Sequence, residues 1–214
     1  MKPESPVGRL AVATCGPQLE VALEPAEGAV ASVIRLSGGK PRSTLLLAAV
    51  DLLVENAGLE PSAVSTIVVS RGPGSFTGIR AGLATASGLR SATGAAVAAY
   101  DSLTMLAARC SDEMTVWCAQ PGRRGEVYAR SFEVGPRQTP VAVGDIEIVP
   151  VAAAAERGPW VAAGNLDLGE AVRAKVERTS AEALLYLHKA GEPEAAFEPL
   201  YVEGPPIHQS GNGP

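Results

Sequence analysis

The stretch SRGPGSFTGIR, residues 70–80, places three glycines and a proline between two different patterns. An apolar, strand-like run at 65–69 precedes it, and a run rich in small residues, typical of a helix, follows at 77–91. A glycine-rich loop between a strand and a helix can hold a phosphate, present a nucleophile or turn the chain. Which of these it does decides both the fold and the function.

Two nucleotide-binding motifs do not fit this loop. A Walker A loop requires GxxxxGK[ST], whereas Gly72 and Gly74 are followed here by Gly78, with Arg80 beyond it. The dinucleotide fingerprint GxGxxG is one residue shorter than the spacing found, and no acidic residue stands where it would bind a ribose. The sequence therefore predicts no cofactor bound directly by the motif.

Ser75 is the candidate nucleophile of the loop. A nucleophile elbow reads GxSxG, but two residues separate Ser75 from the next glycine. A serine nucleophile also needs a base, and the two histidines are His188, in a helical run, and His208, near the C-terminus. Neither supplies a triad or an HExxH metal site. The prediction is no catalytic residue and no metal, with a serine-dependent peptidase or acyl hydrolase using Ser75 as the alternative.

A structural role explains the loop better. Glycine allows positive φ, Pro73 stiffens the turn, and Ser75 or Thr77 can cap the helix that follows. One face of that helix is small enough for close backbone contact. Its residues are Gly78, Ala81, Gly82, Thr85 and Gly88. Each glycine costs about 1 kcal/mol of helix propensity, so close packing must offset that loss.

The opposite face of this helix is a candidate partner interface. Four of its residues recur at i, i+3, i+7 and i+10 and so share one side. The helix predicted at 44–56 carries a second apolar ridge beyond its main stripe. Surplus apolar surface on two neighbouring helices indicates a protein partner, and self-association when that partner is absent. The predicted interface residues are Leu45, Leu52, Arg80, Leu83, Ser87 and Arg90.

The order of predicted elements favours an α/β fold. Three strands before the first helix predict an antiparallel start to a mixed sheet, and the βαβα order around the loop favours parallel strands. We expect an N-terminal lobe at 1–102 and a C-terminal lobe at 103–214, whose final segment could pack back on the first lobe. Asp101 or Ser102 is expected to cap a short helix. Predicted strands are 10–14, 20–23, 29–36, 65–69, 95–99, 114–119, 126–134, 145–149 and 160–163, and predicted helices are 44–56, 77–91, 102–110, near 151–156, 168–178 and 181–189.

Composition narrows the functional class. The formal net charge of −5 argues against broad nucleic-acid binding, although a protein partner could bring RNA. Cys15, Cys110 and Cys118 have neither disulfide nor zinc spacing, which predicts buried thiols. No apolar run approaches the roughly 20 residues that span a bilayer, and no signal peptide is recognisable. We therefore expect a cytoplasmic protein without membrane contact.

The loop and three further segments resemble the TsaB (YeaZ) family. The hallmark segment is RGPGSFTGIR at 71–80 with GLATA at 82–86. The other matches are DSLTMLA at 101–107, RRGEVY at 123–128 and PLYV at 199–202. The motif loop itself comprises Arg71, Gly72, Pro73, Gly74, Ser75, Phe76, Thr77 and Gly78.

The resemblance implies a two-lobed fold of the actin, sugar kinase and heat-shock chaperone superfamily. It further implies a non-catalytic subunit of the bacterial machinery that makes threonylcarbamoyladenosine in tRNA. In that machinery the paralogue TsaD carries the metal and transfers the group, and TsaE hydrolyses ATP. The expected partners are therefore a TsaD-like paralogue and a TsaE-like ATPase, with tRNA and ATP engaged at the level of the complex. The label of M22 glycoprotease is inherited from the paralogue.

The sequence departs from the family pattern at two places. Many members end their first strand with Asp-Thr-Ser, whereas this chain has Ala13, Thr14 and Cys15. An acidic residue there helps to organise magnesium and phosphate in the wider superfamily, so its loss weakens a claim to ATP chemistry. The segment KPRS at 40–43 also lacks the histidine often found before the first helix. A scaffold role requires neither group.

Overall fold

The computed structural model describes residues 8–38, 42–192 and 194–203. Lys40 and His208, which the sequence analysis considered, lie outside these ranges. The strands are β1 (Gly8–Ala13), β2 (Leu19–Glu24), β3 (Ser32–Leu36), β4 (Val64–Ser70), β5 (Ala96–Tyr100), β6 (Met114–Pro121), β7 (Glu126–Val134), β8 (Val141–Pro150) and β9 (Trp160–Ala162). The helices are α1 (Arg42–Asn56), α2 (Phe76–Thr93), α3 (Ser102–Ala107) and α4 (Ser180–Lys189), with 3-10 turns at Pro61–Ala63 and Val151–Glu156.

The first sheet has the strand order β3-β2-β1-β4-β5. Strands β1, β2 and β3 pair antiparallel, whereas β4 runs parallel to both β1 and β5. This confirms the mixed sheet expected from the element order. Alternate side chains divide between two cores, as the period of a strand requires. Leu10 and Val12 pack under α1 and α2, while Ala11 packs toward α3 and α4.

The second sheet has the order β8-β7-β6-β9, antiparallel except for the parallel pair β6–β9. One face packs on α3 through Val116, Cys118 and Phe132, in the same core as the inner face of the first sheet. Helix α4 also contacts β1, β2 and β4 of the first sheet. Helices α3 and α4 therefore lie in a layer between the two sheets. The lobe boundary placed at residue 102 stays a prediction.

A helix predicted at 168–178 is wrong. Gly169 has a φ of +59°, and the segment lies alongside the open edge of β9. The N–H of Trp160 donates to the carbonyl oxygen of Val172 at 2.8 Å, and the N–H of Ala174 donates to that of Trp160 at 2.8 Å. Because β9 offers unpaired backbone groups, pairing with its edge satisfies the segment better than an isolated helix would.

The glycine-rich face of α2 packs against the first sheet. A Cβ atom on Gly82 would collide with the hydroxyl oxygen of Thr14, at the end of β1, and would touch Val69 of β4. Ile79 and Ala86 are buried on the same side of the helix. The close approach expected from the small residues is therefore present at Gly82. The inclusion of Gly88 in that face was wrong, because Gly88 is exposed and a Cβ there would meet nothing within 4 Å.

Candidate functional site

The motif loop leaves the end of β4 and enters α2 through two glycines that other residues could not replace. Gly72 has a φ of +115° and Gly74 a φ of +140°, and the Gly72–Pro73 peptide bond is cis. A Cβ on Gly72 would overlap the carbonyl oxygen of Leu200, and one on Gly74 would overlap that of Cys15. Both the backbone conformation and the surrounding space therefore require glycine.

Several backbone groups of the loop form hydrogen bonds within the chain. The N–H of Ser75 donates to the carbonyl oxygen of Cys15 at 2.8 Å, which joins the loop to the end of β1. The N–H of Ser102 donates to the carbonyl oxygen of Gly72 at 2.7 Å, and its hydroxyl donates to that of Pro73. These bonds hold the loop between β1 and the start of α3.

Ser75 is the N-cap of α2, which begins at Phe76. Its hydroxyl oxygen accepts a hydrogen bond from the N–H of Gly78 at 3.2 Å. In the described part of the chain no histidine hydrogen-bonds to Ser75. His188 lies in α4, where its Nδ1 atom is 3.8 Å from a carboxylate oxygen of Glu194. The geometry of Ser75 is that of a cap rather than of an activated nucleophile.

Arg71 fastens three segments together. Its Nε atom is 2.6 Å from a carboxylate oxygen of Asp101, and one terminal nitrogen donates to the carbonyl oxygens of Ala196 and Glu198 at 3.5 and 3.4 Å. The backbone N–H of Leu200 donates to the carbonyl oxygen of Arg71 at 2.8 Å. Asp101 occupies the N-cap position of α3, but its side chain makes no cap bond because it is committed to Arg71.

The C-terminal segment at 194–203 crosses from the first sheet to the second. Ala195 forms an antiparallel bridge with Ala99 of β5. Farther along, the ring of Tyr201 stacks on that of Phe76, with centroids 5.2 Å apart. Glu203 ends the crossing, because its carboxylate lies 3.1 Å from Nε of Arg123 and accepts a hydrogen bond from the hydroxyl of Tyr128 at 3.0 Å.

Three of the four sequence segments that carry the family resemblance, at 71–80, 123–128 and 199–202, thus line one cleft. The fourth, at 101–107, contacts the loop through Asp101 and Ser102. The cleft has a volume of about 660 Å³ and lies between the loop, the turn after β6 and the C-terminal segment. Burial, followed by the hydrogen bond to Glu203, raises the pKa of Tyr128. Sequence reasoning missed Tyr128, Glu203 and Tyr201 as neighbours of the loop. The motif matches at 123–128 and 199–202 were the available signal.

The predicted interface residues divide between the surface and the core. Leu52 is 58% exposed, and Arg80, Ser87 and Arg90 are exposed on α2. Leu45 is half-buried, and Leu83, 8% exposed, packs in the core beneath α2. Leu47, which the sequence analysis did not single out, is 49% exposed on α1. Whether the exposed residues bind a partner stays a prediction.

Metal-ligand clusters and membrane-spanning helices were also sought in the described residues. Within residues 8–38, 42–192 and 194–203, no three His, Cys, Asp or Glu side chains come together as metal ligands. Across those same ranges, no helix has the length and apolar character needed to cross a membrane. The cysteines at 15, 110 and 118 are buried, as their spacing predicted.

The chain matches one family model and resembles solved structures over most of its length. The model described as TsaD, tRNA N6-adenosine threonylcarbamoyltransferase, matches residues 39–162. The structure of YeaZ from Pseudomonas aeruginosa is 26% identical, with a TM-score of 0.73 over 92% of this chain and 100% of that chain. A second structure, of an uncharacterized protein with similarity to peptidase YeaZ from Pseudomonas aeruginosa, is 25% identical with a TM-score of 0.70 over the same shares.

These matches agree with the architecture. Two mixed sheets flanked by helices form the two-lobed α/β fold of the actin, sugar kinase and heat-shock chaperone type, as the resemblance implied. The family model covers more than half of the chain and includes the motif loop, α1 and α2. The chain therefore belongs to the TsaD family of tRNA threonylcarbamoyltransferase-related proteins and, within it, to the TsaB (YeaZ) group.

Proposed function

We propose that this chain is a non-catalytic binding subunit of the machinery that forms threonylcarbamoyladenosine in tRNA. It docks on a TsaD-like paralogue through the outer face of α1 and α2. The observation that carries the proposal is the ridge of α1 on which Leu52, 58% exposed, and the half-buried Leu45 stand seven residues apart and so share one side of a helix that contacts α2. Leu47, 49% exposed, is five residues from Leu52 and so projects from a different side of α1. Large apolar side chains grouped on one helix pair are typical of a surface that a protein covers.

The charges on this face suit a partner of the same fold. The exposed acidic residues of α1 are Asp51 and Glu55, and the exposed basic residues of α2 are Arg80 and Arg90. Laying α1 of one molecule over α2 of another opposes unlike charges in both halves of a two-fold contact. The same face therefore supports a homodimer when the chain is alone and a heterodimer with the paralogue.

The space beside the turn at 15–16, where β1 ends, leaves little room for a nucleotide. The turn at 15–16 contacts Gly74 on one side and Ala163 on the other. The cavity lined by this turn, Gln120 and Ala163 measures about 10 Å³, the space of one water molecule. A triphosphate would have to separate these contacts. This favours ATP and metal chemistry on the TsaD-like and TsaE-like subunits, with tRNA reaching this chain through the complex.

The proposal is tested by reconstitution. We expect the purified chain to bind the TsaD-like protein in isothermal titration, and tRNA modification by the TsaD-like and TsaE-like proteins to require it. Failure to bind, or full modification without the chain, would contradict the proposal. A serine-directed probe that labels Ser75, with hydrolysis lost in Ser75→Ala, would instead establish the hydrolase alternative.

A further inference from the structure

The cleft of about 660 Å³ lies beside the first turn of α2, outside the face assigned to the partner. Its volume falls within the range of about 300–1,000 Å³ that is usual for binding pockets. Three segments that are distant in sequence build its walls. The side chains and ring carbons that make those walls mainly apolar belong to Pro73, Phe76, Pro121, Leu200, Tyr201 and Val202.

An exposed stack of rings and a cation joins the cleft to the face of α2. Phe76 is 45% exposed and Tyr201 is 39% exposed, although each is a large aromatic residue. The guanidinium carbon of Arg80 lies 5.3 Å from the ring centroid of Phe76, on the helix that carries the proposed interface. Aromatic residues and arginine are the types that dominate binding energy at protein interfaces. The cleft is therefore continuous with the surface that the partner would cover.

The charged groups of the cleft neutralise one another. The carboxylate of Glu203 is paired with Arg123 at 3.1 Å and receives the hydroxyl hydrogen of Tyr128. A phosphate entering here would have to compete with Glu203 for Arg123. An apolar side chain would instead bury the ring faces and the aliphatic carbons without breaking this pairing.

We propose that the cleft receives an apolar side chain from the same protein that covers α1 and α2. The Arg80–Phe76–Tyr201 stack then forms the centre of one continuous interface rather than its edge. The inference rests on the proposed function, because it assigns a second contact to the same partner. It also gives the C-terminal segment a role in binding, since Tyr201 and Val202 form one wall of the cleft.

The test fills the cleft and measures affinity for the TsaD-like protein by isothermal titration. Val202→Trp places an indole in the cleft, and we expect affinity to fall by at least about tenfold. Tyr201→Ala removes half of the ring pair and should weaken binding similarly. Val141→Trp is the matched control, because Val141 is 57% exposed on β8, and it should bind like the unmodified chain.

Photo-crosslinking gives a second test, which does not rely on a loss of affinity that misfolding could also cause. With p-benzoylphenylalanine at position 201, where it keeps an aromatic ring beside Phe76, we expect a crosslink to the TsaD-like protein, and none with the same group at position 141. Unchanged affinity in both cleft variants, with binding lost in Leu52→Glu, would overturn this inference and leave the proposed function standing. If the cleft variants kept their affinity but lost tRNA modification, the inference would be overturned, and the cleft would be assigned to a small molecule instead of a protein side chain. No binding by the unmodified chain would overturn both.

Discussion

Residues 71–75 of the motif loop lie next to the outer face of α1 and α2, but the side chains of the two regions have different roles. In the loop, Arg71 and Ser75 both bond within the chain, and two glycines fit where no Cβ could. On the helix face, Leu52 is 58% exposed, and Arg80 and Arg90 are exposed as well. The loop serves the fold, and the surface beside it is available to another protein.

The loop is the part of the sequence that looks most like a functional motif, whereas the helix face is the part that we expect to bind a partner. A serine between glycines suggests a nucleophile, yet Ser75 begins a helix. The helix face has no motif and is recognised by burial alone. Substitutions in the loop should therefore change stability, whereas substitutions on the helix face should change binding.

The largest effect is expected at Gly74. Gly74→Val places a branched side chain against the carbonyl oxygen of Cys15 at a φ of +140°. Overpacking and the disfavoured backbone together should cost about 3 kcal/mol or more in the free energy of unfolding. Gly88→Ala is the control, because a Cβ there meets nothing within 4 Å, and it should be neutral or slightly stabilising. Urea denaturation compares the two, and equal stability would refute the packing account.

A smaller loss is expected from Arg71→Ala. The substitution leaves Asp101 without its partner and frees the carbonyl oxygens of Ala196 and Glu198, at a cost of about 2 kcal/mol. Limited proteolysis should then cut the segment at 194–203 earlier than in the unmodified chain. Arg71→Lys keeps the charge but cannot reach all three acceptors, so it should rescue stability only in part. If Arg71→Lys restored full stability, the positive charge of Arg71 alone, and not its several hydrogen bonds, would explain its contribution.

Ser75→Ala should cost about 1 kcal/mol, the usual effect of a lost N-cap. Ser75→Asp should restore most of the loss because aspartate also caps helices. Thermal unfolding measures both. If Ser75→Ala lowered tRNA modification while stability and partner binding were unchanged, the hydroxyl would have a chemical role.

Leu52→Glu should have the smallest effect on stability, within about 0.5 kcal/mol, because the side chain is mainly in water. Self-association should nevertheless be lost, since the charge would be buried in the contact. Light scattering at high micromolar concentration checks this, with Val30→Glu, 91% exposed at another site, as the control. A dimer that survives Leu52→Glu would place the contact elsewhere.

The sequence predicted much of the fold because strong local signals coincide with the observed elements. Short apolar runs predicted β1 and β4, and small residues at helical spacing predicted α2, whose bounds are Phe76–Thr93. The helix predicted at 168–178 was wrong because the segment pairs with β9. This tertiary contact, rather than the local helix propensity, decides its conformation.

The site was predicted less completely, and the reasons are tertiary. Leu83 was grouped with Arg80 and Arg90, but it also follows Ile79 by four residues and shares that residue's buried side, where it is 8% exposed. The pairing of Arg71 with Asp101 and that of Glu203 with Tyr128 join residues 30 and 75 positions apart. No periodicity reports such contacts. The cleft that Tyr128 and Glu203 line therefore became visible through the fold alone.

One measurement tests both the binding face and the helix cap. It is tRNA threonylcarbamoylation reconstituted with the TsaD-like and TsaE-like proteins. The assay compares Ser75→Ala with Leu52→Glu under conditions where both variants are folded. We predict that Ser75→Ala retains most of the modification rate and that Leu52→Glu loses it together with partner binding. The reverse result, a folded and partner-bound Ser75→Ala without modification beside a fully active Leu52→Glu, would contradict the account.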